Sequence, residues 1–528
     1  MKHIDVMNFI SKICSWSKDS PGFVLLISIL VILGSVTFIP KCGRRSAFDA
    51  LPIVNKPKFG PIFSIIARWR FIHQSKKILE EGQKCYSNRP FRIWTDWGEV
   101  LMLTPDYAHE IRNDPHLSFS GAVKIDGHAD IPGFETVKLI SHPDNLIQLV
   151  ARKQLTRHLA AVIQPLSSVT EEALIKNLGK SQEWSEIYLK YAVLDIIARL
   201  SSRIYFGELL YQNEEWLSIV KNYATHFFTA SSDLRKVPWA FRSLVHWFVP
   251  SCRALRLERY NARRVLEPVI SQRRQLKEAA KTAGGTPLHF EDAIEWAEVE
   301  ARVKGTKYDP VIFQLTLSLL AIHTTYDLLE MCMIDLAKRP DCIEDLRKEV
   351  ITVLRKDGWT KNALYNMKLL DSAIKESQRL KPGSITSMRR YATSDVQLRD
   401  GVVLKKGNRL NVLTLHRSPD LFPSPDTYDP YRFYNIRGQP GKENWAQLVS
   451  TSVEHMGFGH GEHSCPGRFF AANEIKVALA HILVKYDWKL SDEAGGCTEV
   501  KGMVEKAGSK VKILVRQRQD VESVLDEA

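Results

Sequence analysis

The chain has 528 residues, of which 44% are hydrophobic and 25% charged, and a formal net charge of +13. Such a composition excludes a disordered or low-complexity protein and supplies apolar side chains for a large core. The eight cysteines show no C-x-x-C pair or regular spacing, which argues against a zinc site or a disulfide scaffold and for a reducing compartment. The basic excess is spread over Lys56 to Arg92, Arg235 to Arg274 and Arg389 to Lys406 without a nucleic-acid motif, so an anionic lipid surface and an acidic protein partner are expected, and nucleic acid is not.

A polar tail over residues 1–20 precedes an uncharged apolar run from Phe23 to Ile39, bounded by Pro21, Gly22 and Pro40. A window of about 20 residues crosses a bilayer, so 21–40 is expected to be a single transmembrane anchor. Lys41, Arg44 and Arg45 hold its C-terminal end on the cytoplasmic side. A cleaved signal peptide and a buried core helix are the competing readings; the polar tail and the lack of a small-x-small cleavage site count against the first. Residues 41–61 form a basic linker whose proline spacing, Leu51 to Pro61, makes it stiff and extended. No repeat or polar linker divides the chain beyond it, so one domain over 62–520 and a short tail over 521–528 are expected.

Between residues 100 and 175 the pattern is one of short helices and loops, with a long irregular stretch from Phe119 to Ile140 and a basic helical segment around Arg152 and Lys153. From Trp184 to Pro250 the chain is rich in aromatics. Trp239, Phe241, Trp247 and Phe248 interleave with Arg235, Lys236, Arg242 and His246, a mixture that suits either a packed core or a surface dipping into lipid headgroups.

Pro310 to Lys338 carries apolar residues at helical spacing and, in its middle, Leu320-Ala321-Ile322-His323-Thr324-Thr325. Further on, Glu376 and Arg379 stand three apart on one helix face and can pair. A strand-like run, Ile385 to Arg390, follows, then Tyr428-Asp429-Pro430-Tyr431-Arg432-Phe433, and near the end a hairpin with Met503 at its tip. The richest stretch is His455 to Glu474: Phe458-Gly459-His460-Gly461-Glu462-His463-Ser464-Cys465-Pro466-Gly467, then an apolar helical repeat from Arg468. Glycines let backbone approach a flat cofactor and free amides to point at sulfur, while the positive end of the following helix favours a thiolate. A buried structural cysteine beside a glycine turn is the alternative.

The Phe458 to Gly467 motif, with Arg468 and Ala471 behind it, resembles the haem-binding signature of the cytochrome P450 family. The resemblance covers roughly residues 50–520. It implies a mainly α fold with small β-sheets behind a single N-terminal transmembrane helix, and haem b (iron protoporphyrin IX) with Cys465 as its axial ligand. Phe458 would flank the haem. His463, standing where most members have a basic residue, together with Arg152 and Arg389, would contact its propionates. Glu376, Arg379 and Arg432 resemble the family's buried structural cluster. Ala321-Ile322-His323-Thr324 resembles the oxygen-activation segment, with Ala321 as the small residue, Thr324 as the catalytic threonine and His323 in place of the usual acid. Thr324 back-bonding its own helix and His323 merely packing are the bland alternatives. Ile385, Met388, Met503 and Ala321 would line the substrate pocket.

The same resemblance implies a monooxygenase fed by a separate NADPH-cytochrome P450 reductase, with cytochrome b5 as an optional donor, on the cytoplasmic side of the endoplasmic reticulum membrane. The Ala-Ile-His-Thr-Thr segment is similar to those of fungal members that modify terpenoids, so a hydrophobic terpenoid-type intermediate of secondary metabolism is expected. A fatty-acid or sterol hydroxylase, and a haem isomerase or sensor, are the alternatives.

Overall fold

The computed structural model describes residues 47–519 apart from 58, 59, 88, 285–287 and 493–497. The anchor expected at 21–40, the tails and most of the basic part of the linker lie outside the described residues.

After helix α1 (Gly60–Cys85) come strands β1 (Phe91–Thr95), β2 (Gly98–Leu103) and β3 (Leu117–Ser118), then helices α2 (Phe119–Asp126), α3 (Leu159–Leu178), α4 (Leu189–Phe206), α5 (Glu214–Lys236) and α6 (Pro250–Thr282). The long helix α7 (Pro310–Ala337) and helix α8 (Lys368–Leu380) follow, then β4 (Thr386–Ala392), β5 (Arg409–Leu413), helix α9 (Arg468–Lys485) and the hairpin β6 (Thr498–Lys501) and β7 (Val504–Ala507).

The helices begin where capping chemistry permits. Asn213 accepts from the Trp216 amide at 2.9 Å, and α5 then opens on Glu214 and Glu215 and closes on Arg235 and Lys236, matching the helix dipole at both ends. Asp309 accepts from the Val311 amide at 2.9 Å, and Pro310 occupies the first turn of α7, where its missing N–H costs nothing. Length and composition would let α7 cross a membrane, but it is mostly buried inside the protein and serves as the central core helix. It packs on α4, α5 and α8, while α9 lies against α3. One continuous apolar core runs through these helices. Truncating a leucine there, such as Leu329 or Leu479, costs about 2–5 kcal/mol.

Five strands form a sheet in the order β1-β2-β5-β4-β3, with β2 parallel to β5 and the other pairs antiparallel. Its register slips within β4: Ser387 faces Val412, yet Arg390 faces Leu410, so Met388 and Arg389 stand opposite Asn411 alone. Met388 takes φ of 50°, the left-handed region where a side chain is strained. The stretch expected to be irregular from Phe119 to Ile140 instead contains α2 and a second helix, Glu135–Ile140. Ser118 starts α2 by accepting from the Gly121 amide at 2.9 Å, a cap that the glycines around it obscure in the sequence.

Candidate active site

Cys465 is half-buried at the end of a loop pinned on three sides. Its amide donates to the Phe458 carbonyl at 2.8 Å, the Glu462 amide donates to Asn113 Oδ1 at 2.9 Å, and Arg468 Nη1 donates to the Cys465 carbonyl at 2.8 Å. Burial pushes the thiol up from its ordinary value, opposed by the Gly467 and Arg468 amides, which face the sulfur, and by the nearby Arg468 charge. Two amides at the start of α9 therefore stand ready to stabilise a thiolate. Close approach explains two glycines: a Cβ on Gly457 would sit 2.3 Å from Gln378 Oε1, and one on Gly461 would sit 2.6 Å from Arg112 Cβ.

Behind the loop, α8 is buried on all sides and carries a closed ionic cluster. Glu376 receives Arg379 through two bonds of 2.7 Å and Arg432 Nε at 2.9 Å. Arg379 also donates to the carbonyls of His416 at 2.5 Å and Pro425 at 2.7 Å. His416 Nε2 in turn accepts from the Met456 amide at 2.9 Å, so the cluster reaches the cysteine loop through one imidazole. Gln378 and His416 are the residues that tie helix to loop; neither has a local sequence signature.

On the opposite side, α7 shows a stripe of accessible residues on an otherwise buried helix. Leu320 is 41% exposed and Thr324 is exposed; Ala321, His323, Asp327 and Leu328 are half-buried. Their spacing of three and four puts them on one face, which opens to a guest while the other faces are packed. The Thr324 hydroxyl donates back to the Leu320 carbonyl at 3.0 Å. What it offers the opening is its oxygen, as an acceptor for a water. His323 Nε2 is buried without a partner among the described residues, and burial first, then Lys190, lowers its pKa to about 4. One and two turns on, burial raises Asp327 to about 6 and Glu330 to about 8. A group that delivers protons near neutral pH works best with a pKa near that pH, so the two acids are better matched than His323.

Arg152 sits on a six-residue π-helical stretch, Val150–Leu155, that interrupts the expected helix; its Nη2 donates to the Glu462 carbonyl at 3.1 Å. Burial first, then Arg390, lowers the pKa of His463. Arg390 is 2% exposed, its Nε has no partner among the described residues, and burial alone lowers its pKa to about 10. An interior guanidinium without a protein counter-ion, beside Arg152 and His463, fits an anionic guest.

Arg389 is the residue expected to take this place. Arg389 turns to Asp126, with Nη1 3.7 Å from Oδ2, and lies over the Trp97 ring at 5.0 Å. The register shifts at Met388 and Arg389, and Arg390, the next residue, is the one whose charge bears on His463. Two of the residues expected to line the pocket are buried in small apolar clusters. Met388, 5% exposed, packs with Leu101, Leu410 and Met456, and Met503, 4% exposed, packs with Phe71, Phe91 and Met102. Ile385 is half-buried next to the second group, its amide donating to the Met503 carbonyl at 3.0 Å, whereas Ala321 lies on the accessible stripe. Phe458 packs against the main core.

A family model described as Cytochrome P450 matches residues 54–513. Cytochrome P450 monooxygenase 2 of Gibberella fujikuroi is 52% identical over 95% of this chain and 97% of its own length. Cytochrome P450 monooxygenase hepE of Aspergillus oryzae is 41% identical over 94% and 90%. Among solved structures, the retinoic-acid-bound cyanobacterial CYP120A1 superposes with a TM-score of 0.61 at 16% identity, covering 85% of this chain and 96% of that one, which shows the shared fold. The family holds haem through a cysteine thiolate. Amides aimed at the Cys465 sulfur and a buried Arg390 with no carboxylate beside it among the described residues are features that fit that group. The chain thus belongs to the cytochrome P450 family and is a haem-thiolate monooxygenase.

Proposed function

We propose that this protein is a membrane-anchored monooxygenase of fungal secondary metabolism that oxidises a hydrophobic, terpenoid-type intermediate, with electrons from a separate NADPH-cytochrome P450 reductase. The observation that carries the reading is the pairing of a thiol aimed by two helix-start amides with an accessible stripe on a buried apolar helix. Cys465 holds the haem iron; Arg390, Arg152 and His463 take its carboxylates, and Phe458 flanks it. When bound, haem supplies the oxygen chemistry: two electrons and two protons split dioxygen, one atom entering the substrate and the other leaving as water.

The chain's own residues do the rest. Leu320 and Ala321 shape the space over the haem and keep it apolar. Thr324 holds a water through its free lone pairs, and Asp327 and Glu330, poised near neutral pH, supply that water with protons. His323 lines the same stripe as a neutral ring. Glu376, Arg379 and Arg432 brace the cysteine loop from behind. Trp239, Leu244, Trp247 and Phe248 are exposed together, with Arg256 over Trp247 at 4.7 Å, a surface suited to lipid headgroups beside the anchor at 21–40. The setting is the cytoplasmic face of the endoplasmic reticulum, with the domain over 62–520 reached by the reductase and, as a second donor, cytochrome b5.

The test is spectroscopic and kinetic. Reduced protein under carbon monoxide shows the red-shifted Soret band of thiolate ligation, and Cys465→Ser abolishes it; a band unchanged in that variant rejects the ligand. Thr324→Ala keeps the band and changes the unfolding free energy from urea titration by less than about 1 kcal/mol, while product formed per NADPH falls severalfold and peroxide rises. Full coupling in Thr324→Ala rejects the water-holding role.

A further inference from the structure

Five arginines from five elements converge between the exposed aromatic surface and β4: Arg68 on α1, Arg235 at the end of α5, Arg242 on the short helix Arg242–Val245, Arg389 on β4 and Arg409 on β5. Among the described residues, two acids answer them. Arg235 Nε lies 3.1 Å from Asp96 Oδ2, Arg409 Nη2 lies 2.9 Å from Asp126 Oδ1, and Arg389 shares Asp126 at 3.7 Å. Arg242 Nε is bound to the Val237 carbonyl at 2.8 Å, and Arg68 Nε is buried with no partner among the described residues. His128, whose ring bonds the Ser231 carbonyl at 3.2 Å, stays neutral because burial lowers its pKa to about 4. The cluster therefore carries three positive charges more than the acids among the described residues neutralise.

These charges are recessed and held in place. Arg389, Arg409 and Arg235 have side chains 30%, 20% and 22% exposed. Trp97 carries Arg389 at 5.0 Å and Arg235 at 5.7 Å on its ring, and its carbonyl accepts from Arg409. Burial lowers the affinity of both guanidinium groups for their protons, helped at Arg68 by Arg409 and opposed there by Asp96, and helped at Arg242 by Arg68 and Arg235. Forked donors fixed in this way, with charge to spare, suit a carboxylate. Their place is informative too. Arg235 and Arg242 bracket the exposed Trp239, and Arg389 directly precedes Arg390, which faces the haem side.

We propose that Arg68, Arg235, Arg242, Arg389 and Arg409 form a subsite for a carboxylate carried by the hydrophobic substrate, holding its acid end while the apolar body reaches the α7 stripe. The inference rests on the monooxygenase reading and narrows its substrate class to organic acids.

The test uses the full-length haem-loaded protein in discs of uncharged lipid, dialysed to equilibrium against two matched pairs: dodecanoic acid with dodecan-1-ol, and a tricyclic diterpene acid with its alcohol. In at least one pair the acid binds about tenfold more tightly, and Arg389→Gln or Arg409→Gln brings acid and alcohol to within about twofold without changing the alcohol. Arg242→Gln, at a half-buried surface position, serves if the strand variants fail to accumulate. Equal binding of acid and alcohol in both pairs overturns the proposal, as does a preference that survives the substitutions. Loss of binding to phosphatidylserine vesicles with the acid preference intact assigns the arginines to lipid headgroups instead. The carbon monoxide band of the same samples separates the readings: its absence rejects the haem-thiolate assignment, whereas its persistence without acid preference rejects only the subsite.

Discussion

The two arginine clusters of this molecule use the same chemistry to opposite ends. Behind the cysteine loop, one carboxylate binds two guanidinium groups, and Arg379 Nη1 is taken by two carbonyls. Glu376 and Arg379 are wholly buried, and the arrangement is closed. Between the exposed aromatic surface and β4, five arginines divide two aspartates, and the described residues leave charge over. A closed buried cluster is a brace, because its donors have nowhere else to go; an open one keeps a place for a guest.

The largest effect is expected where closure is broken. Glu376→Gln leaves two buried guanidinium groups without an anion and should cost about 3–5 kcal/mol, so little haem-loaded protein accumulates. Arg379→Lys should be nearly as damaging, since an ammonium cannot reach Glu376, His416 and Pro425 together. Haem per polypeptide and the urea midpoint measure both. A stable, fully loaded Glu376→Gln protein would show that the brace contributes nothing.

A smaller effect, of mixed sign, is expected at the open cluster. Asp126→Asn removes the anion shared by Arg389 and Arg409 and should lower stability by about 1–3 kcal/mol, yet it should tighten binding of dodecanoic acid by enlarging the charge excess. Weaker acid binding in a folded Asp126→Asn protein would mean that the aspartate orients the arginines rather than competing with the guest.

The difference between the clusters also explains what the sequence reveals. Glu376 and Arg379 lie one helical turn apart, and the residues from Phe458 to Gly467 lie on one loop, so local spacing exposes both along with the family and its helical fold. The open cluster draws on positions from 68 to 409, each an ordinary surface-type arginine in its own neighbourhood, and only tertiary packing assembles it. Arg389 and Arg390 fail to sort themselves for another reason. Alternation predicts which side of a strand a residue faces, but one bulge at Met388 reverses the answer beyond it. Leu320 to Leu328 read as one apolar helix, and their accessible face shows only once the other faces are packed.

The last effect, confined to the alkaline end of the pH range, concerns a third buried carboxylate, which has no cation beside it among the described residues. Glu474 on α9 accepts from Ser201 Oγ at 2.7 Å through Oε1, while Oε2 is buried without a partner among the described residues. Burial raises its pKa to about 8 from an ordinary 4.5. Between those values the folded protein keeps a proton that the unfolded chain releases, so stability is full below pH about 4.5, falls as pH rises and levels off above about 8. Glu474→Gln keeps an oxygen for Ser201 and has no proton to lose. It should flatten that slope and gain about 1–3 kcal/mol over the native protein at the alkaline end, with little difference at the acid end. Urea midpoints at the two ends of the window read the difference directly. Parallel slopes for native protein and variant would mean that Glu474 is ionised in the fold, and that a carboxylate can sit in this core without the arginines that Glu376 and Asp126 both have.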